Sequence, residues 1–411
     1  MPLDLVTTLS ELIATPSVNP MGRQVEGPEY LEHRVTDYLQ RLFDRLGLPN
    51  LRQQVAPRRE NILTRLDGAQ PTVDGGPLLL WEVHQDTVPV DGMTIEPFEP
   101  AIRQGRIYGR GACDIKGGMA AMLVALARLV EERPANLPTI VLACTVNEEH
   151  GFKGASALCD LWGERIRNAA FFPRRPDAAI VAEPTMCDVV VAHKGVVRWR
   201  AHTLGRAVHS SQPELGENAI YAMGHLVAAL DDYHCTELPQ FGEHPRCGRP
   251  SLNVGTIRGG LSVNTVPDRC TIEIDRRLLP GEDPQEAYRH VLSHLSGAVH
   301  SAVRIEHEPP FMISLGLDDT ANGPLAEALA ASAQSVGSAG RTIGVPYGTD
   351  ASAISAAGVP SVVFGPGSID QAHTKDEWLA LDQLERASEV LYRFARSFAG
   401  SESSQRNHSS T

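Results

Sequence analysis

Seven residues of this chain have the right types to do metal-assisted hydrolysis together: His84, Asp86, Asp114, Glu148, Glu149, Glu183 and His373. Imidazole and carboxylate donors without thiolate suit borderline-to-hard divalent ions such as zinc, cobalt or manganese. Two histidines and five acids are too many for one ion and suit two. A shared carboxylate can hold such a pair roughly 3.5–4 Å apart, as two-metal hydrolases do. His84 and Asp86 are two apart at a strand end and point to the same side. Asp86 is therefore expected to accept the second ring N–H of His84 and fix its tautomer. Asp114 stands in Gly109-Arg110-Gly111-Ala112-Cys113-Asp114-Ile115-Lys116-Gly117-Gly118, a flexible turn whose glycines allow a carboxylate to approach closely. Glu148 and Glu149 are adjacent and point differently, so one can bind metal while the other serves as a base.

These residues need a scaffold, and the sequence suggests one. Leu78–Val83 runs into His84, Thr139–Val146 into Asn147-Glu148-Glu149, Ala178–Ala182 into Glu183, and Ser361–Phe364 into Gly365-Pro366-Gly367. Short continuous apolar runs read as strands buried on both faces. Lys116–Glu132 between two of them reads as a helix, so a mostly parallel twisted sheet flanked by helices is expected. Ligands collect beyond the carboxyl ends of such strands, where the polar clusters sit. Leu5, Leu9, Leu12 and Ile13 follow helical spacing near the start.

The middle of the chain changes character. Alternation in Gly195–Leu204, a helical stretch Asn218–His234, two alternating strands (Ser251–Ile257 and Cys270–Leu278), a helix Pro284–Leu295 and a strand Ala302–His307 give the order βαββαβ. This is an inserted ferredoxin-like domain. The expected organisation is therefore α/β, with a catalytic domain over 1–192 and 309–399, an insert over 193–308, and a disordered polar tail over 400–411. The main sheet should resume after Pro309-Pro310.

Composition narrows the classes further. The 411 residues carry a formal charge of −13, which speaks against nucleic acid and against an anionic membrane. No run approaches the roughly 18 apolar residues of a spanning helix, and the acidic N-terminus lacks the pattern of a secretory signal. Seven scattered cysteines without a C-x-x-C pair suggest core thiols in a reducing cytoplasm. Asn407-His408-Ser409 then matches the glycosylation pattern by chance. Cys113 reads as a small packed residue rather than a nucleophile, and Arg165, Arg167, Arg174 and Arg175 as a solvated loop face. Gly109-x-Gly111 is no dinucleotide fingerprint, because the third glycine position holds Asp114.

Five motifs in order resemble the M20 metallopeptidases: His84-x-Asp86-Thr87-Val88-Pro89, the Gly109–Gly118 turn, Asn147-Glu148-Glu149, Ala182-Glu183-Pro184-Thr185 and His373-Thr374-Lys375-Asp376-Glu377. That family comprises co-catalytic zinc amidohydrolases, among them acetylornithine deacetylase, succinyl-diaminopimelate desuccinylase, aminoacylase-1 and glutamate carboxypeptidase. The resemblance implies His84 and Glu183 on one metal, Glu149 and His373 on the other, Asp114 bridging, and Glu148 as general base beside Asp86. It implies two divalent ions per subunit, zinc with cobalt as the alternative, and an insert that forms a homodimer and closes over the site. His209, in Gly205-Arg206-Ala207-Val208-His209-Ser210-Ser211-Gln212-Pro213, matches the family's lid histidine, which steadies the oxyanion in the partner's site. Asn264 and Arg277 match positions that bind a substrate carboxylate, and one of Arg276 and Arg277 is expected to pair with Glu273 or Asp275. Gly348-Thr349-Asp350 resembles a further substrate-side loop. Val83 stands where many members have a small residue, and Glu183, where di- and tripeptidases tend to have aspartate, leans toward the deacylase and carboxypeptidase branches.

The implied substrate is a small N-acyl amino acid or a peptide. Deacetylation of acetylornithine or desuccinylation of succinyl-diaminopimelate leads, followed by a broad aminoacylase and then a carboxypeptidase or dipeptidase. A different class, a non-catalytic dimeric binding protein on the same fold, would require a lost ligand or base. All five ligands and Glu148 are in place.

Overall fold

The computed structural model describes residues 3–163, 168–299 and 304–400. Arg165, Arg167, Ala302 and the tail beyond 400 lie outside the described residues. The chain divides into two compact units, one of residues 1–191, 319–343 and 349–411, the other of 192–318 and 344–348.

An eight-stranded sheet, six strands of which lie wholly in the larger unit, has the order Asn50–Ala56, Arg59–Leu66, Thr139–Thr145, Leu78–His84, Ala178–Val181, Ser361–Val363, Val189–His193, Thr342–Val345. The four middle strands pair in parallel, and Asn50–Ala56 and Arg59–Leu66 add an antiparallel margin. Leu78–His84 and Thr139–Thr145 are buried along their whole length, as apolar strands covered on both faces must be. Their register decides the site: His84 lies opposite Thr145, and Glu82 opposite Val181. In parallel strands the chain continues past the same edge, so the residues after His84, Thr145 and Val181 emerge together.

Helix Lys116–Glu132 forms as its sequence predicts and packs with Leu5–Ile13 and Leu381–Ser397. Around them Trp81, Phe43, Leu126 and Phe394 form a fully buried core. The turn ahead of the helix needs its glycines. Gly111 has φ +82, and a Cβ on Gly117 would collide with Leu379. A second sheet of three short strands, Ala101–Arg103, Arg106–Tyr108 and Trp378–Ala380, pairs Tyr108 with Trp378. It sets the turn that follows Tyr108 beside the loop that precedes Trp378.

The smaller unit has the order βαββαβ: Gly195–Leu204, Ala219–Thr236, Ser251–Gly259, Arg269–Leu278, Pro284–Ala298, Arg304–His307. Its antiparallel sheet places the second of these strands outermost, then the third, the first and the fourth, the ferredoxin-like arrangement. Trp199, Met223, Leu230, Tyr233, Ile272 and Val291 fill its core.

Three expectations change. Met312–Ser314 does not return to the main sheet; it pairs with Val196–Arg198, and Leu317 bridges His193, which carries the smaller unit past 308 to 318. A three-residue strand is too short to show a period, so only its pairing reveals it. Arg174 is ion-paired with Asp177 at 2.6 Å rather than merely solvated. None of the seven cysteines is in a disulfide, but Cys235 is exposed rather than in the core. Among the described residues no helix is long and apolar enough to cross a membrane.

Candidate metal centre

The strand ends of the larger unit deliver their side chains to one place. His84 Nδ1 lies 3.0 Å from the backbone oxygen of Asp86, while the Asp86 carboxylate is 3.7 Å away. The expected carboxylate contact is thus replaced by the Asp86 carbonyl, because the carboxylate is engaged elsewhere. It accepts from Asn19 Nδ2 at 2.7 Å and from the backbone N–H groups of Glu148 and Glu149 at 3.2 Å each. Asp86 therefore anchors the turn carrying both glutamates. Burial alone would raise its carboxyl, but His84, Arg59 and Asn19 outweigh this and bring it down to about 2. Asn147, with φ +68, shapes the same turn, and its Oδ1 accepts from Arg59 Nη1 at 2.6 Å and from Asn19 Nδ2 at 3.2 Å. Arg59 in turn is paired with the buried Glu32.

Two groups of donor atoms result. His84, Glu148 and Glu183 form one and Asp114, Glu149 and His373 the other, with the ligand atoms of each group all within 4.8 Å. Asp114 faces both: Oδ1 is 3.3 Å from His84 Nε2 and Oδ2 is 3.2 Å from His373 Nε2. His84 Nε2 is also 3.8 Å from Glu183 Oε1, and His373 Nε2 is 3.2 Å from Glu149 Oε2. The adjacent Glu148 and Glu149 turn to different groups, as neighbouring residues in a turn can.

The electrostatics call for cations. Burial, then neighbouring carboxylates, pushes the Glu148 and Glu183 carboxyls well up and that of Glu149 to about 7. Burial alone would raise Asp114 and lower His84 and His373. The imidazole–carboxylate contacts win, holding Asp114 below the carboxylate range, His84 well above its usual value and His373 at about 11. His84 Nε2, Asp114 Oδ1 and Glu149 Oε1 are buried without a hydrogen-bond partner among the described residues. Such atoms cost free energy unless something satisfies them, and divalent ions of the oxygen- and imidazole-loving kind would do so. The donor set fits a metal pair. Cys113 stays outside it: its thiol donates to Ser368 O at 3.3 Å, and burial pushes its pKa well up.

The sequence reading did not anticipate Asn19, Arg59 and Glu32, nor the buried Glu82, whose carboxylate meets that of Asp350 about Thr145 Oγ1. A charge inside an apolar strand, as in Glu82 of Leu78–His84, was the one available signal. Asp350, expected in a substrate-side loop, is almost fully buried.

In the smaller unit, His209 pairs with Thr265 in an isolated bridge, and Ser210 N donates to Asn264 O at 3.0 Å, so His209 and Asn264 are brought together. His209 is exposed, and its Nδ1 accepts the Ser211 N–H at 3.2 Å, which leaves Nε2 as the protonated nitrogen of the neutral ring. Asn264 Oδ1 accepts from Ser262 Oγ at 2.6 Å. Arg277 stands on Arg269–Leu278 and donates to Asp275 at 2.8 Å, while Arg276 is buried on Glu282.

Paired imidazole–carboxylate clusters at the carboxyl edge of a mostly parallel sheet suit a metal-dependent hydrolase. The chain belongs to peptidase family M20/M25/M40, which it matches over residues 80–397, and is a metal-dependent amidohydrolase. It is 31% identical over 395 residues to an acetylornithine deacetylase of Edwardsiella ictaluri, covering 94% of this chain and 96% of that one. An acetylornithine deacetylase of Vibrio cholerae is 32% identical over 412 aligned positions, covering 96% and 98%. In fold the chain is similar to an M20 family metallo-carboxypeptidase from Sulfolobus solfataricus, with a TM-score of 0.74 at 19% identity and coverage of 96% and 99%.

Proposed function

We propose that the protein hydrolyses the amide bond of a small N-acyl amino acid, with N-acetylornithine and N-succinyl-diaminopimelate as the first candidates. The observation that carries the reading is Asp114, whose two oxygens face the imidazoles of two separate donor groups. The relatives named acetylornithine deacetylase support the substrate class. His84 and Glu183 would hold one divalent ion and Glu149 and His373 the other, with Asp114 shared. Zinc is favoured and cobalt is the alternative. Bound there, the ions would polarise the amide carbonyl and make a water more acidic.

The chain's own groups do the rest. Glu148, buried and with its carboxyl pushed up, takes a proton from the attacking water and returns it to the leaving amine nitrogen. Asp86 holds the Glu148 backbone N–H and so fixes where that base stands. His209, through Nε2–H, donates to the carbonyl oxygen as it gains charge, supplied from one subunit to the other's site. Asn264 and Arg277 receive the substrate carboxylate. A homodimer through 193–308 is supported by Tyr221, Leu261 and Val263, apolar residues that lie open around one surface depression of that unit. Seven cysteines, none of them in a disulfide, support a cytoplasmic setting.

The test is a panel of N-acetyl, N-succinyl and dipeptide substrates, run with metal analysis. About two ions per chain, chelator-sensitive hydrolysis and a preference for the acyl amino acids are expected. Preference for dipeptides would move the reading to an exopeptidase. A preparation that stays inert and metal-free on zinc or cobalt addition would leave a binding protein on this fold.

A further inference from the structure

The residue between the two ligand-bearing loops is Glu377, four positions after His373 and fully buried. Its carboxylate meets four donors. Oε2 accepts from Arg110 Nη1 at 2.6 Å and from Gly111 N at 3.0 Å, and Oε1 accepts from Cys113 N at 2.8 Å and from Asp114 N at 2.9 Å. Its own backbone oxygen accepts from Gly109 N at 3.1 Å. Arg110, 3% exposed, uses Nη2 on Pro89 O at 3.1 Å, which reaches the segment that follows His84 and Asp86. Three segments that carry donor atoms thus converge on one ion pair.

We propose that Glu377 is a positioning residue for the metal centre: its carboxylate is the anion around which the Gly109–Asp114 turn is wrapped, and it sets where Asp114 stands relative to His373. The inference rests on the metal-centre reading above. A buried ion pair alone would be a weak argument, since apolar residues of like volume often stabilise as well. Here, however, the acceptor also serves three buried backbone N–H groups of the turn, which an apolar replacement would leave unsatisfied. One of them belongs to Asp114 itself. A shift of that N–H carries the Asp114 carboxylate with it, and its oxygens stand only 3.3 Å and 3.2 Å from the two imidazoles. The pairing of Tyr108 with Trp378 brings the turn and the loop together, and Glu377 then locks the register between them. Arg110, for all its place in a chemistry-bearing motif, is occupied by this contact and by Pro89.

Glu377→Gln keeps the volume but puts an NH2 group against two of the four donors. Metal-free protein titrated calorimetrically with zinc, and with cobalt followed by visible absorption, is expected to lose about 10–100-fold in affinity for at least one ion. kcat should fall by a similar factor with KM nearly unchanged. Glu377→Asp, which keeps the charge but retracts the carboxylate by one methylene, should lie in between. If Glu377→Gln does not fold, Glu377→Asp alone decides: weakened metal binding supports the proposal and parental binding overturns it. A folded Glu377→Gln variant with parental affinity for both ions and parental kcat overturns it too. A parent protein that binds no cation would overturn both this proposal and the metal-centre reading, whereas two ions in the parent with an unchanged variant would overturn this one alone.

Discussion

His84 in the larger unit is 2% exposed, and its Nε2 has no hydrogen-bond partner among the described residues although it faces Asp114 and Glu183. His209 in the smaller unit is exposed, and its Nδ1 is engaged by its own neighbour Ser211. The same contrast holds for the charged groups. Glu148, Glu149 and Glu183 crowd together with their carboxyls pushed up by burial, whereas Arg277 lies on Asp275 at 2.8 Å. Buried donors without partners create a demand that only a cation or a proton can meet. Exposed, partnered side chains create no such demand, and their chemistry depends on what they later meet. A ligand set can therefore be read from its own unit, while the substrate-side residues define a role only through binding.

That contrast can be broken by experiment, beginning where the effect should be largest. Glu148→Gln keeps the shape and removes the base, so kcat should fall by about 10²–10⁴-fold with metal content unchanged. Loss of a metal along with the activity would make Glu148 a ligand instead. His209→Ala removes a donor that acts only on developing charge, and a loss of about 10²–10³-fold in kcat is expected with KM little altered. Full turnover would end the oxyanion role. The smallest effect belongs to the smaller unit's stability. Burial lowers His193 to about 4, and burial followed by His202 lowers His307 to about 4. With unfolded values of about 6.5, the unfolded chain binds more protons between these limits. The stability these neutral rings contribute is complete above about pH 6.5 and is lost as pH falls through about 4. Amide exchange of Gly195–Leu204, corrected for intrinsic rate, should quicken over that window in metal-free protein, and a flat profile would refute it.

Much of the fold was legible because its signals are long. Lys116–Glu132 and the alternating strand Arg269–Leu278 each span enough residues for a period to show, and the strand ends carry their polar clusters openly. The donor types of the site were legible for the same reason: His84, Glu148, Glu149 and Glu183 follow apolar runs directly. Short elements were not. Met312–Ser314 and the strands around the Gly109–Asp114 turn have three residues each, and their pairing depends on partners remote in sequence.

Sequence by itself determined the element order, the two-unit division in outline and the kinds of atoms available for chemistry, since these depend on local pattern and side-chain type. Tertiary structure decided which atoms meet. It turned the Asp86 carboxylate to the backbone of Glu148 and Glu149, chose Arg277 rather than Arg276 for Asp275, set Asp114 between two imidazoles, and enclosed the Glu377 carboxylate in the turn that carries Asp114. Those choices follow from strand register and from satisfying every buried donor at once, a condition on the packed whole that no local stretch of sequence contains.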